Sequence, residues 1–143
     1  MSTQATYDDA NLLLKLYELR REVRLRQARS WFAANFRPKT AEEVASLCPP
    51  GTDENAFYRM VITYWEMVAS FITSGVLNQE LFFQSNTELL LVYTRIRNLL
   101  PQLRQNGKNP KLFQNLETVA LSYIEWLEQE DPEAYSAFAA RVG

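Results

Sequence analysis

Apolar residues recur along this chain every three or four positions, and no run alternates convincingly with a period of two, so the pattern predicts helices and no strands. Between residues 54 and 74, Phe57, Val61, Tyr64, Trp65, Val68, Phe71 and Ile72 fall at i, i+4, i+7, i+8, i+11, i+14 and i+15. That spacing gathers them on one helix face, with Met60 and Met67 at its flanks and Arg59, Thr63, Glu66, Ser70 and Thr73 opposite. It predicts an amphipathic helix at the centre of the fold. Leu112, Leu116, Val119, Ala120, Tyr123 and Leu127 form a comparable stripe in a helix expected to run from Asn109-Pro110 to about Glu130.

The polar residues between the stripes supply the starts and stops. Asp8 or Asp9 can cap a long first helix reaching about Asn35, where Arg37-Pro38 ends it. At ~1.5 Å per residue such a helix is on the order of 40 Å long. Thr40-Ala41-Glu42-Glu43 reads as a capping box opening a short helix that closes at Cys48-Pro49-Pro50-Gly51. Asp53 caps the next helix, and Gly75 ends it in the left-handed conformation. Residues 78–85 suggest one short helical turn. Ser85-Asn86-Thr87-Glu88 reads as a second capping box leading into residues 89–100, and Pro101 marks a kink or a restart. Asp131-Pro132 opens a last helix over 133–141. The fold class is therefore all-α, an irregular bundle of about five to seven helices around the central amphipathic one. Residues 1–6 are expected to form a flexible tail and 7–143 a single helical domain.

The first helix carries apolar residues on two sides. Leu12, Leu16, Leu19 and Val23 make one stripe, weakly continued by Ala34; Leu14, Leu25, Phe32 and Phe36 lie roughly opposite, with Tyr17 and Trp31 between. A helix with two apolar faces needs two partners, and one of them can be a second copy of the chain. Arg20, Arg24, Leu25, Trp31 and Phe32 are the candidate interface residues.

Charge changes this picture only locally. Across 143 residues, 15 Lys and Arg face 17 Asp and Glu, a net charge of −2 with no global pull toward nucleic acid or an anionic membrane. The first helix nonetheless holds Lys15, Arg20, Arg21, Arg24, Arg26 and Arg29 against Glu18 and Glu22. Glu22 with Arg26 and Glu18 with Arg21 are spaced to pair along the helix, and the acidic run over 117–133 can answer the rest, within the fold or across a dimer. No DNA-binding motif accompanies the patch, so the sequence argues against nucleic acid as a partner. No run of residues is long and apolar enough to span a bilayer, and the start of the chain lacks the features of a secretory signal.

Composition then removes most chemistry. The chain has no histidine, which eliminates the commonest general base and zinc ligand, and its 4 glycines are too dispersed to form a phosphate loop. The single cysteine, Cys48, precludes an internal disulfide, suits a reducing, cytoplasmic setting, and sits at a predicted helix C-terminus, where the dipole disfavours a thiolate. Glu66 is the one acid embedded in a strongly apolar helix. Either it pairs with Arg59 or another base on the polar face, or it faces a pocket with the aromatics, for which Trp65, Glu66 and Tyr93 are the candidate lining. No catalytic, cofactor-binding or metal-binding residue is assigned.

The segments Asp9-Ala10-Asn11-Leu12-Leu13-Leu14-Lys15-Leu16-Tyr17-Glu18-Leu19-Arg20-Arg21-Glu22, Tyr64-Trp65-Glu66-Met67-Val68 and Gly75-Val76-Leu77-Asn78-Gln79-Glu80-Leu81-Phe82-Phe83 resemble a family of small bacterial all-helical proteins of unknown function. The resemblance implies a helical fold in a bacterial cytoplasm and brings no site residues. The expected function is a non-enzymatic helical interaction or assembly module, self-associating through its long first helix as a homo-oligomer or docking a protein partner. The alternative is a ligand-binding regulatory bundle with an aromatic pocket.

Overall fold

The first helix is capped by Thr6 rather than by an aspartate. In the computed structural model, which describes residues 4–143, the Thr6 hydroxyl accepts from the Asp9 N–H at 3.2 Å and the Asp9 carboxylate accepts from the Thr6 N–H at 2.7 Å. This is a reciprocal capping box opening α1 (Tyr7–Arg20). The other Asp9 oxygen accepts from the Asn78 N–H at 2.8 Å, so one carboxylate ties two distant segments. Of the tail expected over 1–6, residues 1–3 lie outside the described residues, and Thr6 belongs to the cap.

The long helix predicted to reach Asn35 is two helices. α1 ends at Arg20, and α2 (Val23–Asn35) begins after Glu22, whose backbone is extended at φ −58° and ψ 141°. The Glu22 carboxylate accepts from the Arg24 and Leu25 N–H groups at 3.1 and 3.0 Å instead of reaching along a helix to Arg26. The core explains why the break is favoured. Leu16 and Leu25 are nine positions apart, about half a turn out of phase in an unbroken helix. The break brings both into the core, together with Ala28, Phe32 and Phe36.

α3 (Ala41–Leu47) starts at Thr40, whose hydroxyl accepts from the Glu43 N–H at 3.1 Å; Glu43 returns one residue further than a regular box, to the Lys39 N–H at 2.6 Å. α4 (Asp53–Thr73) is capped by Thr52, one residue before the expected Asp53. Gly75 has φ +80°, and the following N–H groups of Val76 and Leu77 return to the Phe71 carbonyl at 2.9 and 3.0 Å, closing α4 as its glycine suggested.

The rest of the chain is α5 (Gln79–Phe83), α6 (Glu88–Ile96), α7 (Leu100–Asn106), α8 (Gln114–Glu128) and α9 (Ala134–Val142). Three expectations shift here. The N-cap of α6 is Thr87, two residues after the Ser85 of the predicted box, and it makes no side-chain capping bond. Pro101 lies in the first turn of α7 and therefore restarts a helix rather than kinking one. Asn109 caps only a turn, and α8 starts after Phe113, which holds φ 56°. The described residues thus form nine helices and no strand, more helices than the five to seven expected because the chain breaks at Glu22 and again between Ile96 and Leu100.

α4, the longest helix, packs against α2, α6 and α8, and α9 closes over α6 and α8. Trp65, Phe32, Phe36, Phe82, Ile62, Leu89, Leu90 and Ile96 are fully buried along these contacts. α1 makes its principal contact with α2 and is tied to α4 through the Tyr64 hydroxyl, which donates to the Leu16 carbonyl at 2.7 Å.

Candidate functional site

The most telling side chains are buried or half-buried charges, and each serves a helix end. Glu66 projects from α4 to the start of α8, where it accepts from the Leu116 N–H at 2.8 Å, the Asn115 N–H at 3.3 Å and the Asn115 side-chain amide at 2.9 Å. Phe113 holds a left-handed backbone and offers no capping side chain of its own. The free N–H groups of α8 are therefore met by a carboxylate from another helix, at the end where the helix dipole favours negative charge.

Arg95 does the converse. It is 7% exposed, and its guanidinium donates to the Phe32, Ala33 and Phe36 carbonyls at 3.1, 3.1 and 2.9 Å and, through Nε, to the Val142 carbonyl. One cation thereby closes the C-terminal ends of α2 and α9. Burial, and secondly repulsion from Arg37, lowers its pKa from the ordinary range. Arg29 repeats the device at the break between α1 and α2. It donates to the Arg20 carbonyl at 3.2 Å and to both oxygens of Glu88 at 2.8 and 2.9 Å, while the Trp65 indole N–H also reaches Glu88 at 3.2 Å.

These assignments dismantle the predicted pocket. Trp65 and Tyr93 are buried, Glu66 is engaged with α8, and none of the three lines the clefts described below. Glu66 also does not pair with Arg59, whose Nε donates to the Asn55 side chain at 2.9 Å. Its role as a cap for another helix was invisible because position 115 is far away in sequence, although its isolation in an apolar helix was a signal. Arg95, alone among the apolar residues of α6, carried the same signal and was missed. Cys48 is buried at the end of α3, and desolvation, with Glu54 second, pushes its thiol up to about 11.

The predicted interface separates into parts. Leu25 and Phe32 are in the core of the chain itself, packed with Ala28 and Phe36. Trp31 is half-buried against Phe36 and Phe57, with ring centroids 6.3 and 6.1 Å away. Arg24 is exposed but pairs with Asp53 at 3.1 Å and stacks over Phe57 at 4.6 Å. Arg20 is half-buried, its guanidinium 5.4 Å from the ring centres of both Tyr17 and Trp65. Arg24 and Arg29 thus find acids at Asp53 and Glu88, and Glu117 pairs with Arg104 at 2.9 Å, so the ion pairs among the described residues do not join the basic run to the 117–133 acids.

What remains open is the outer side of α1. Tyr7 is 91%, Leu14 63% and Tyr17 50% exposed. With Ala10 they stand at i, i+3, i+7 and i+10, the spacing of a seam between paired helices. Beside them Leu13, Leu14, Tyr17 and Arg20 line a cleft of about 400 Å³ closed by Leu81, Ser85 and Asn86. On the other side of α1, Leu19 faces a second cleft of about 400 Å³ with Leu25, Met60, Tyr64 and Met67.

A family model described as "Domain of unknown function (DUF4760)" matches residues 5–140. The chain belongs to that family. No curated protein and no solved structure matches it. The match agrees with the resemblance carried by residues 9–22, 64–68 and 75–83 in pointing to a family without an assigned activity. Among the described residues no cluster of acids and cysteine could hold a metal ion, and no helix is long and apolar enough to cross a membrane.

Proposed function

We propose that this domain is a non-enzymatic helical interaction module, a bundle arranged about α4 that self-associates through α1 in a reducing compartment suited to its lone buried thiol. The observation that supports this reading is the exposed seam of Tyr7, Leu14 and Tyr17 on α1, whose principal contact in the bundle is with α2 alone. The occupant is the α1 of a second copy, laid antiparallel. α1 is acidic at its start, with Asp8 exposed, and basic at its end, with Arg20 and Arg21. Antiparallel pairing sets each acidic start against the partner's basic end and opposes the two helix dipoles, whereas parallel pairing stacks arginine on arginine. Two-fold pairing also lets one patch serve both subunits.

The test is light scattering across a concentration series on the natural chain and on the Leu14→Glu and Leu25→Glu variants. Leu14→Glu is expected to be folded and monomeric where the natural chain is a dimer, because Leu14 lies on the open face. Leu25→Glu places a charge in the core and is expected to unfold the domain instead. A natural chain that is monomeric at every concentration refutes self-association. In that case the 400 Å³ cleft beside Leu13, Tyr17 and Leu81, which lies within the size range of small-molecule sites, favours the ligand-binding reading.

A further inference from the structure

Arg95 has a second side. Beyond the carbonyls that hold it, it borders a cavity of about 120 Å³ lined also by Arg37, Lys39, Arg97 and Asn98, with apolar and small residues such as Pro38, Leu99 and Ala139 in its walls. Four cations meet there, and no aspartate or glutamate is among the lining residues. None of the ion pairs among the described residues involves Arg37, Lys39, Arg95 or Arg97. Glu43, on the adjoining α3, is engaged by the Lys39 backbone N–H.

The partners of these cations account for only part of their charge. Arg95 is offset by the carbonyl ends of α2 and α9, each equivalent to roughly half a negative charge. Arg37 donates to the Ala34 carbonyl at 2.9 Å, and Arg97 to the Tyr135 hydroxyl at 3.1 Å with its guanidinium 5.2 Å from that ring. Both arginines are thereby oriented without being neutralised. Burial, and secondly repulsion from Arg37, lowers the Arg95 pKa. A fold normally separates such charges or supplies an acid between them. Here three elements converge to hold them: the 37–39 loop after α2, the end of α6, and the turn before α7.

We propose that this cavity binds a soluble phosphate group, as inorganic phosphate or a small phosphomonoester, with Arg37, Lys39 and Arg97 as its ligands and Arg95 as the buried cation beneath them. A volume of 120 Å³ is a few times the roughly 30 Å³ share of one water, enough for a tetrahedral oxyanion such as the phosphate end of a small monoester. Guanidinium groups match phosphate geometry with paired N–H donors, and Lys39 adds a mobile ammonium at the rim. This site is independent of α1 and of self-association.

The experiment is thermal unfolding and titration calorimetry with inorganic phosphate, against chloride at matched ionic strength. At phosphate ten times its Kd, the midpoint is expected to rise by about 5 °C. Arg97→Gln and Lys39→Gln are each expected to abolish the calorimetric signal; Lys39→Gln serves as the variant least able to disturb folding, since the Lys39 side chain is exposed. Glycerol phosphate is expected to compete with phosphate. Equal responses to phosphate and chloride, or responses undiminished in both variants, overturn the proposal. So does binding to phosphatidic acid vesicles with no response to free phosphate.

Discussion

Replacing Glu66 tests whether a single carboxylate organises the junction of α4 and α8. Its oxygens meet three donors at 2.8, 2.9 and 3.3 Å, two of them N–H groups that α8 cannot satisfy internally. A hydrogen bond to a charged group contributes about 1.5–3 kcal/mol, and a negative charge at a helix N-terminus about 0.3–1 kcal/mol. Glu66 is half-buried, so the lower part of these ranges applies. Glu66→Gln keeps one acceptor oxygen but turns an amide against the N–H groups, a loss of about 2 kcal/mol; Glu66→Ala frees all three donors, a loss of about 3 kcal/mol. Phe113 sharpens the effect, because its left-handed backbone is unfavourable for a bulky residue and the Glu66 contacts immediately follow it. At about 4 °C per kcal/mol for a domain of this size, the expected falls in Tm are about 8 °C and 12 °C.

Urea and thermal unfolding followed by circular dichroism give these values, and hydrogen exchange locates them. The Asn115 and Leu116 amides are expected to exchange about 30-fold faster in Glu66→Gln, the equivalent of 2 kcal/mol. Arg59→Gln is the control, since the Arg59 side chain donates to Asn55 one turn back on the exposed face of α4. A fall below about 2 °C for Glu66→Gln, or an equal fall for Arg59→Gln, refutes the capping role.

Asp9 and Cys48 give two further expectations. The backbone N–H groups of Thr6 and then Asn78 hold the Asp9 carboxyl below its ordinary 3.8. The unfolded chain therefore binds the proton more readily, and the stability Asp9 contributes is present above that ordinary value and is lost as pH falls through the folded one. Asp9→Asn is expected to flatten the decline in stability on acidification from pH 5 to about pH 3, while Asp8→Asn leaves the slope unchanged; identical slopes for both contradict the double cap. With its thiol pushed up from 9.0 to about 11, Cys48 forms about a hundredfold fewer thiolates at pH 8 in the folded chain. A disulfide reagent is expected to label the native protein at least that much more slowly than the urea-unfolded one, and comparable rates would place Cys48 outside the core.

The helical class, the course of α4 and the stop at Gly75 were legible because each depends on residues within a few positions of one another. The 3.6-residue repeat of apolar side chains and the left-handed tolerance of glycine are local properties. Even the shift of a cap from Asp53 to Thr52 stays within this range. The break after Arg20 does not. Leu12, Leu16, Leu19 and Val23 continue one stripe perfectly well in an unbroken helix, and only burial of Leu25 and Phe32 in the same core as Leu16 makes the break favourable, at the cost of a turn that Glu22 and Arg29 then hold. The same limit governs the sites. Two expected interface residues, Leu25 and Phe32, are core, and the open seam of Tyr7, Leu14 and Tyr17 was recognisable only once the rest of the bundle had claimed the other faces.

The sequence by itself determined the helical class and which residue types are missing, since propensity, capping and composition act locally or not at all. The tertiary structure alone decided where the charges belong. Glu66 reaches α8, Arg95 closes α2 and α9, and Arg29 joins Glu88 across 59 positions of chain. An unsatisfied helix end can be met by any charge of the right sign brought to it. Which charge arrives is set by how the apolar faces pack, and no spacing along the chain encodes that.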